Sequence, residues 1–271
     1  MAITFKKIAA LGALIGAIAL AGCDQKEKDP NHIKVGVIVG AEQQVAEAAV
    51  KVAKDKYGLD VELVTFNDYV LPNEALSKGD IDVNAFQHKP YLDQQIKDRG
   101  YKLVSVGNSF VYPIAGYSKK IKSLDELQNG AQIAIPNDPT NLGRSLLLLQ
   151  KVGLIKLKDG VGLLPTSLDI TGNPKNLKIV ELEAPQLPRS LDDQQIALAV
   201  INTTYASQIG LTPAKDGIFV EDKDSPYVNL IVSREDNKDA ENVKKFVQAY
   251  QSDEVSEAAN KIFNGGAVKG W

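Results

Sequence analysis

Short apolar runs alternate with amphipathic stretches along most of the chain. Ile33 to Val39 (IKVGVIV) is apolar and rich in β-branched residues, the pattern of a buried strand. From Glu42 to Tyr57, Val45, Ala49, Val52 and Ala53 share one helical face, with Lys51, Lys54 and Asp55 elsewhere, and Gly58 follows as a C-terminal stop. Val61 to Phe66 predicts a second strand. Glu74 to Ser77 with its flanks predicts a short helix ended by Gly79. Ile81 to Phe86 is a third strand, Pro90 to Arg99 a helix, and Leu103 to Val106 a further strand. Strands and helices that alternate in this way imply an α/β fold with a mainly parallel sheet and helices on both faces.

Phe110 to Tyr117 (FVYPIAGY) runs extended through a proline, and the pattern then restarts. Leu124 to Gln128 predicts a short helix, Gln132 to Ile135 a strand, and Asn141 to Val152 a strong helix. Leu177 to Leu182 and Ile196 to Ile201 predict strands, and Thr203 to Ile209 a helix. Tyr227 to Val232 (YVNLIV) is extended again, and two helices close the chain near Asp239 to Gln251 and Glu254 to Phe263. The order suggests two α/β lobes: residues 32–110 with 233–271, and residues 111–232 with the crossover segments. Two crossings make a hinge and leave a cleft between the lobes.

The first residues break this pattern. Lys6 and Lys7 precede an uncharged stretch from Ile8 to Ala19, too short for a permanent span, which reads as a signal segment. Leu20-Ala21-Gly22-Cys23 then resembles a bacterial lipobox, which implies removal of residues 1–22 and lipidation of Cys23. Residues 23–31 read as a solvated tether, because Asp24 to Pro30 (DQKEKDP) offers nothing to a core. No later segment approaches 18 consecutive apolar residues.

Composition narrows the chemistry. The only cysteine is Cys23, so no intramolecular disulfide forms, and two histidines with it cannot close a zinc site. Formal net charge is -3, and loss of Lys6 and Lys7 with the leader takes it to -5, which gives no general attraction for nucleic acid. The chain has no G-x-S-x-G elbow, no G-x-x-x-x-G-K-[ST] loop and no G-x-G-x-x-G, so no enzyme, metal or cofactor reading is expected.

Two segments could hold a ligand. In Pro136-Asn137-Asp138-Pro139-Thr140-Asn141-Leu142-Gly143-Arg144 a strand ends and a helix begins. Asp138 suits the N-cap and Pro139 the first helical position. Free N–H groups there favour an anion, and Asn141 and Arg144 lie on one face of the opening turns. Arg144 could clamp a carboxylate through two parallel hydrogen bonds; the same residues also fit a capped helix with a solvated arginine. In Phe86-Gln87-His88-Lys89-Pro90-Tyr91, Phe86 and Tyr91 could form an apolar wall with Tyr69, beside His88. The same residues fit core aromatics with a capping histidine. Asn202 and Asn229 are polar among apolar neighbours, as a site or an amide paired to backbone would require.

Long strings then place the chain. HIKVGVIVGAEQQVAE, DIDVNAFQHKPYLDQ, YPIAGYSKKIKSLDEL, PNDPTNLGRSLLLLQK, ELEAPQLPRSLDD, SPYVNLIV and FNGGAVKGW resemble the NlpA family of lipoproteins, most closely its methionine-binding members, from about His32 to Trp271. The resemblance implies a two-lobed periplasmic-binding fold of type II-like form, with ligand in the interlobe cleft. It implies methionine capture and delivery to an ABC methionine permease with its ATPase subunits, from a lipid-anchored position at the cell membrane. A same-fold lipoprotein for another amino acid or small organic anion is the alternative. The matching motifs put the ligand-binding residues at Tyr69, Phe86, His88, Tyr91, Asn141, Arg144, Asn202 and Asn229. Arg144, helped by Asn141, would hold the carboxylate, the aromatics the side chain, and Asn202 and Asn229 the α-amino and α-carboxyl groups. No acidic counter-charge for the ammonium is evident. Asp24 after Cys23 is a feature of lipoproteins kept in the inner membrane.

Overall fold

The structure is a computed structural model and describes residues 29–271. The signal segment, Cys23 and Asp24 lie outside the described residues. The first part of the chain forms β1 (His32–Ile38), α1 (Ala41–Tyr57), β2 (Asp60–Phe66), α2 (Leu71–Lys78), β3 (Val83–His88), α3 (Lys89–Arg99) and β4 (Leu103–Val111). The middle forms β5 (Ala115–Tyr117), β6 (Gln132–Pro136), α4 (Pro139–Lys151), β7 (Lys156–Leu157), β8 (Ile170–Gly172), β9 (Lys178–Leu182) and α5 (Leu187–Ser190). It continues through β10 (Ile196–Ile201), α6 (Thr203–Gln208), α7 (Pro213–Asp216) and β11 (Phe219–Val220). The chain returns along β12 (Val228–Arg234) and ends with α8 (Glu241–Tyr250), α9 (Asp253–Ile262) and β13 (Val268–Lys269).

Two main sheets result, one in the order β13-β4-β12-β3-β1-β2 and one in the order β11-β5-β10-β6-β9. β1 pairs parallel to β2 and β3, and β6 pairs parallel to β9 and β10. The expectation of mainly parallel sheets needs correction beyond these βα units. β12 runs antiparallel to both β3 and β4, and β5 runs antiparallel to β10. The cause is the double crossing: β4 carries the chain out of the first sheet and β12 brings it back, so the two must run in opposite directions. Sequence periodicity sees strands, but not the direction in which the chain next travels.

Each sheet buries its own core. Val45, Ala49 and Val52 of α1 pack with Phe246, Tyr250 and Val255 of α8 and α9 over the first sheet. Leu142, Leu146 and Leu149 of α4 pack with Ile133, Ile135 and Leu198 over the second. A third cluster joins the sheets, bringing Ile38, Phe86 and Tyr91 against Tyr117, Leu187, Ile201 and Tyr205. The element ends follow local chemistry. Gly58 takes φ 61°, and its N–H closes α1 on Ala53 and Lys54 carbonyls. α4 starts at Pro139 with Asp138 as its N-cap, as the capping signal predicts, two residues ahead of the periodic stretch from Asn141. β4 runs on to Val111 because its end pairs with both β12 and β13. The short strands β7, β8, β11 and β13 and helices α5 and α7 were not foreseen, being too brief for a period to show.

Gly143 sits in the first turns of α4, where a Cβ would lie 2.4 Å from the Leu163 carbonyl oxygen and 3.0 Å from Leu164 Cα. The neighbouring atoms are backbone and cannot swing aside. Gly143→Ala should therefore cost about 1–3 kcal/mol of stability, read as a lower midpoint in urea with an unchanged slope.

Candidate ligand-binding cleft

All eight residues singled out above line one cleft between the sheets, with Gln87, Tyr112, Thr203 and Thr204. The non-atom space among these residues, open solvent at its mouth included, is about 340 Å³. One wall is aromatic. Tyr69, Phe86 and Tyr91 have ring centroids 5.8–6.1 Å apart, with Tyr91 edge-on to the other two. The Tyr91 hydroxyl donates to the Tyr69 backbone carbonyl at 2.9 Å, which holds the Tyr91 ring in place.

The polar side is set by one carboxylate. Asp138 caps α4 by accepting from the Asn141 N–H at 2.9 Å, and its oxygens also accept from Asn141 Nδ2 at 2.9 and 3.1 Å. An ionised carboxylate only accepts, so the Asn141 amide must turn Nδ2 toward it and Oδ1 away. Asn141 Oδ1 then accepts from Asn202 Nδ2 at 2.9 Å, which turns Asn202 Oδ1 away in its turn. That oxygen is buried with no donor among the described residues. Asn202 occupies the N-cap of α6 without capping it, so its amide serves the cleft instead. Asn229 Nδ2 donates to the Phe86 carbonyl at 3.0 Å, which leaves Asn229 Oδ1 the free end of that amide.

His88 caps α3: its Nδ1 accepts from the Tyr91 N–H at 3.1 Å, so the proton of a neutral ring lies on Nε2. Nε2 then donates to Asn141 Oδ1 at 3.2 Å. Burial, and then the Arg144 charge, push the ring down to about 3, so it is neutral at ordinary pH.

Arg144 differs from the expected two-bond clamp. Its Nε and Nη2 donate to Glu221 at 2.9 and 2.5 Å, and Nη2 also donates to the Tyr112 carbonyl at 3.0 Å. The guanidinium lies 4.4 Å from the Tyr227 ring centroid. Nη1 alone has no acceptor among the described residues. Glu221 was invisible to sequence reading, because it follows a two-residue strand with no period around it. Glu42 was missed for another reason: in α1 its position reads as an ordinary acidic first turn. It is buried, 2 % exposed, and accepts from the Thr204 hydroxyl across the cleft. Burial raises its carboxyl to about 8.

Two sheets joined by crossing strands, with a small cleft between them lined by rings and oriented amides, define a solute-binding protein of the two-lobed periplasmic type. The chain belongs to the NlpA lipoprotein family, whose description matches residues 33–271. It is 90% identical over all 271 residues, 100% of both chains, to the D-methionine-binding lipoprotein MetQ of Salmonella typhimurium. A crystal structure of the methionine-binding protein MetQ is 92% identical, with a TM-score of 0.89 over 90% of this chain and 99% of that one. A nutrient-binding protein of Burkholderia cenocepacia, solved bound to methionine, is 54% identical, with a TM-score of 0.85 over 88% of this chain and 100% of that one. The family role is binding rather than catalysis.

The two buried titrating groups act on stability in opposite directions. Folded Glu42 keeps a proton from pH 4.5, where the unfolded chain releases it, up to about 8, so its contribution is lost as pH rises through that window. Folded His88 refuses a proton between 6.5 and about 3, so its contribution is lost as pH falls there. The two slopes oppose each other below 6.5, and Glu42 acts alone above it. Glu42→Gln should remove a loss approaching 1.4 kcal/mol per pH unit between roughly pH 6.5 and 8. Denaturant midpoints of both proteins across that range read it out.

Proposed function

We propose that this chain captures methionine in its cleft and delivers it to an ABC methionine permease with its ATPase subunits. The observation that carries this reading is the pattern of unmet hydrogen bonds. Among the described residues, Asn202 Oδ1 is buried without a donor, the hydrogen bonds of Arg144 leave Nη1 without an acceptor, and Asn229 donates through Nδ2 with nothing donating to its Oδ1. An α-carboxylate and an α-ammonium are the complement of that set. The aromatic wall of Tyr69, Phe86 and Tyr91 suits a thioether, whose sulfur gains roughly 0.3–1.5 kcal/mol at a ring edge. The MetQ relatives and the methionine-bound neighbour support the same ligand. An organic anion fits less well, because Glu221 already offsets the one cationic side chain that lines the cleft.

Residues 32–110 with 233–271 would form one lobe and 111–232 the other, closing on the ligand. The lipobox at Cys23 would anchor the chain by lipid, with the domain in the periplasm, and Asp24 would hold it at the inner membrane. Membrane fractionation should then find the protein with inner-membrane markers, and Asp24→Ser should move it outward. Native protein recovered with outer-membrane markers removes this part of the reading.

The only methionine in the sequence is Met1, so a chain freed of its leader contains none. Protein produced on selenomethionine should carry stoichiometric selenium when native and lose it on unfolding and dialysis. Arg144→Ala should weaken methionine binding at least about tenfold by calorimetry, since a charge-assisted hydrogen bond contributes roughly 1.5–3 kcal/mol. Native protein with no selenium and no affinity for added selenomethionine ends the methionine assignment.

A further inference from the structure

The Arg144–Glu221 pair lies in the wall of the cleft, with side chains 3% and 13% exposed. Glu221 takes the Nε and Nη2 side of the guanidinium, and the Tyr112 carbonyl takes the second Nη2 hydrogen. A ligand therefore meets Nη1 of an arginine whose charge is already offset. His88 adds no charge, being neutral on burial. Asp138 sits at the positive end of α4 and acts on the cleft through Asn141 and Asn202. The two free amide oxygens repel an anion and attract a cation.

We propose that Glu221, held on Arg144, is the positioning residue by which the cleft selects a net-neutral amino acid over an anion of the same shape. Glu221 is not among the residues lining the cleft, so it acts through Arg144 rather than on the ligand. A ligand with a carboxylate and no ammonium brings an uncompensated charge into a buried site, which is costly. A zwitterion brings its own compensation. Removing the Glu221 charge leaves Arg144 an excess cation and shifts that preference toward anions.

This inference rests on the methionine reading. The test uses methionine and 4-methylthiobutanoate, the same molecule without its amino group. Titration calorimetry on the wild type should show strong preference for methionine. Glu221→Gln keeps the shape and removes the charge, and should narrow the ratio of the two affinities at least about tenfold. Glu221→Asp, which keeps the charge, should retain most of the wild-type ratio. If Glu221 only props Arg144 in place, both ligands weaken together and the ratio in Glu221→Gln is unchanged, which overturns the proposal. Should Glu221→Gln be too unstable to titrate, its melting temperature is read with each ligand at saturation. 4-methylthiobutanoate must then stabilise it, relative to methionine, more than it does the wild type, and failure to do so counts against the proposal equally. Absence of methionine binding by the wild type defeats the methionine reading itself, whereas methionine binding with an unchanged ratio defeats only the role of Glu221.

Discussion

A carboxylate can accept hydrogen bonds and cannot donate them, and Asp138 applies that constraint to the whole polar side of the cleft. It caps α4, so the turn from β6 into the helix holds it in place. From there the amide of Asn141 has one permitted orientation, and the amide of Asn202 has one in consequence. His88 enters the same chain of reasoning, because Asn141 Oδ1 needs a donor and the Tyr91 N–H already occupies Nδ1. Each step of such a relay polarises the next, so the negative charge of Asp138 is felt at Asn202 Oδ1. The ammonium of the proposed ligand thus meets the effect of an acid without touching one.

The arginine is handled in the opposite sense. A lone buried guanidinium would cost several kcal/mol in desolvation, and it would attract any anion small enough to enter. Pairing with Glu221, a carbonyl and the face of Tyr227 lowers both the cost and the attraction. What remains is one nitrogen without an acceptor among the described residues, on a guanidinium held by Glu221, the Tyr112 carbonyl and the Tyr227 ring. Side chains held this way are already in binding geometry, which limits the entropy lost when a ligand is ordered there.

Much of this was legible in the chain. Strand runs such as IKVGVIV and the capped start at Asp138-Pro139 gave elements within two residues of their places, because burial and capping are local. Position along the chain marked Phe86, His88, Tyr91, Asn141 and Arg144 as candidates near strand ends and a helix start, where α/β ligand sites fall, but the family resemblance was needed to choose the set of eight over a capped helix and core aromatics. Three things were not legible. The antiparallel course of β12 depends on where the chain goes after β4. Glu221 follows a two-residue strand and is given meaning only by Arg144, 77 residues earlier. Glu42 looks solvated in its own helix and is buried only because α6 of the other sheet packs over it. Each is a fact about contact between distant segments, and hydrophobic period carries no such information.

The same distance ties the proposed recognition to the way the two sheets meet. His88 ends a strand of the first sheet and Asn141 lies in the first turn of a helix of the second, so the hydrogen bond between them crosses the cleft. Thr204 meets Glu42, and Gln208 meets the Val39 carbonyl, along the same seam. If the sheets part, Asn141 Oδ1 loses the His88 donor and Glu42 returns to water. Neither lobe alone presents the full set of one free donor, two free acceptors and three rings. A ligand that needs all of them is held firmly only where the two sheets meet, so its contacts would favour that arrangement over any in which they part. Burial in that seam raises the Glu42 carboxyl to about 8, so it holds its proton there at neutral pH.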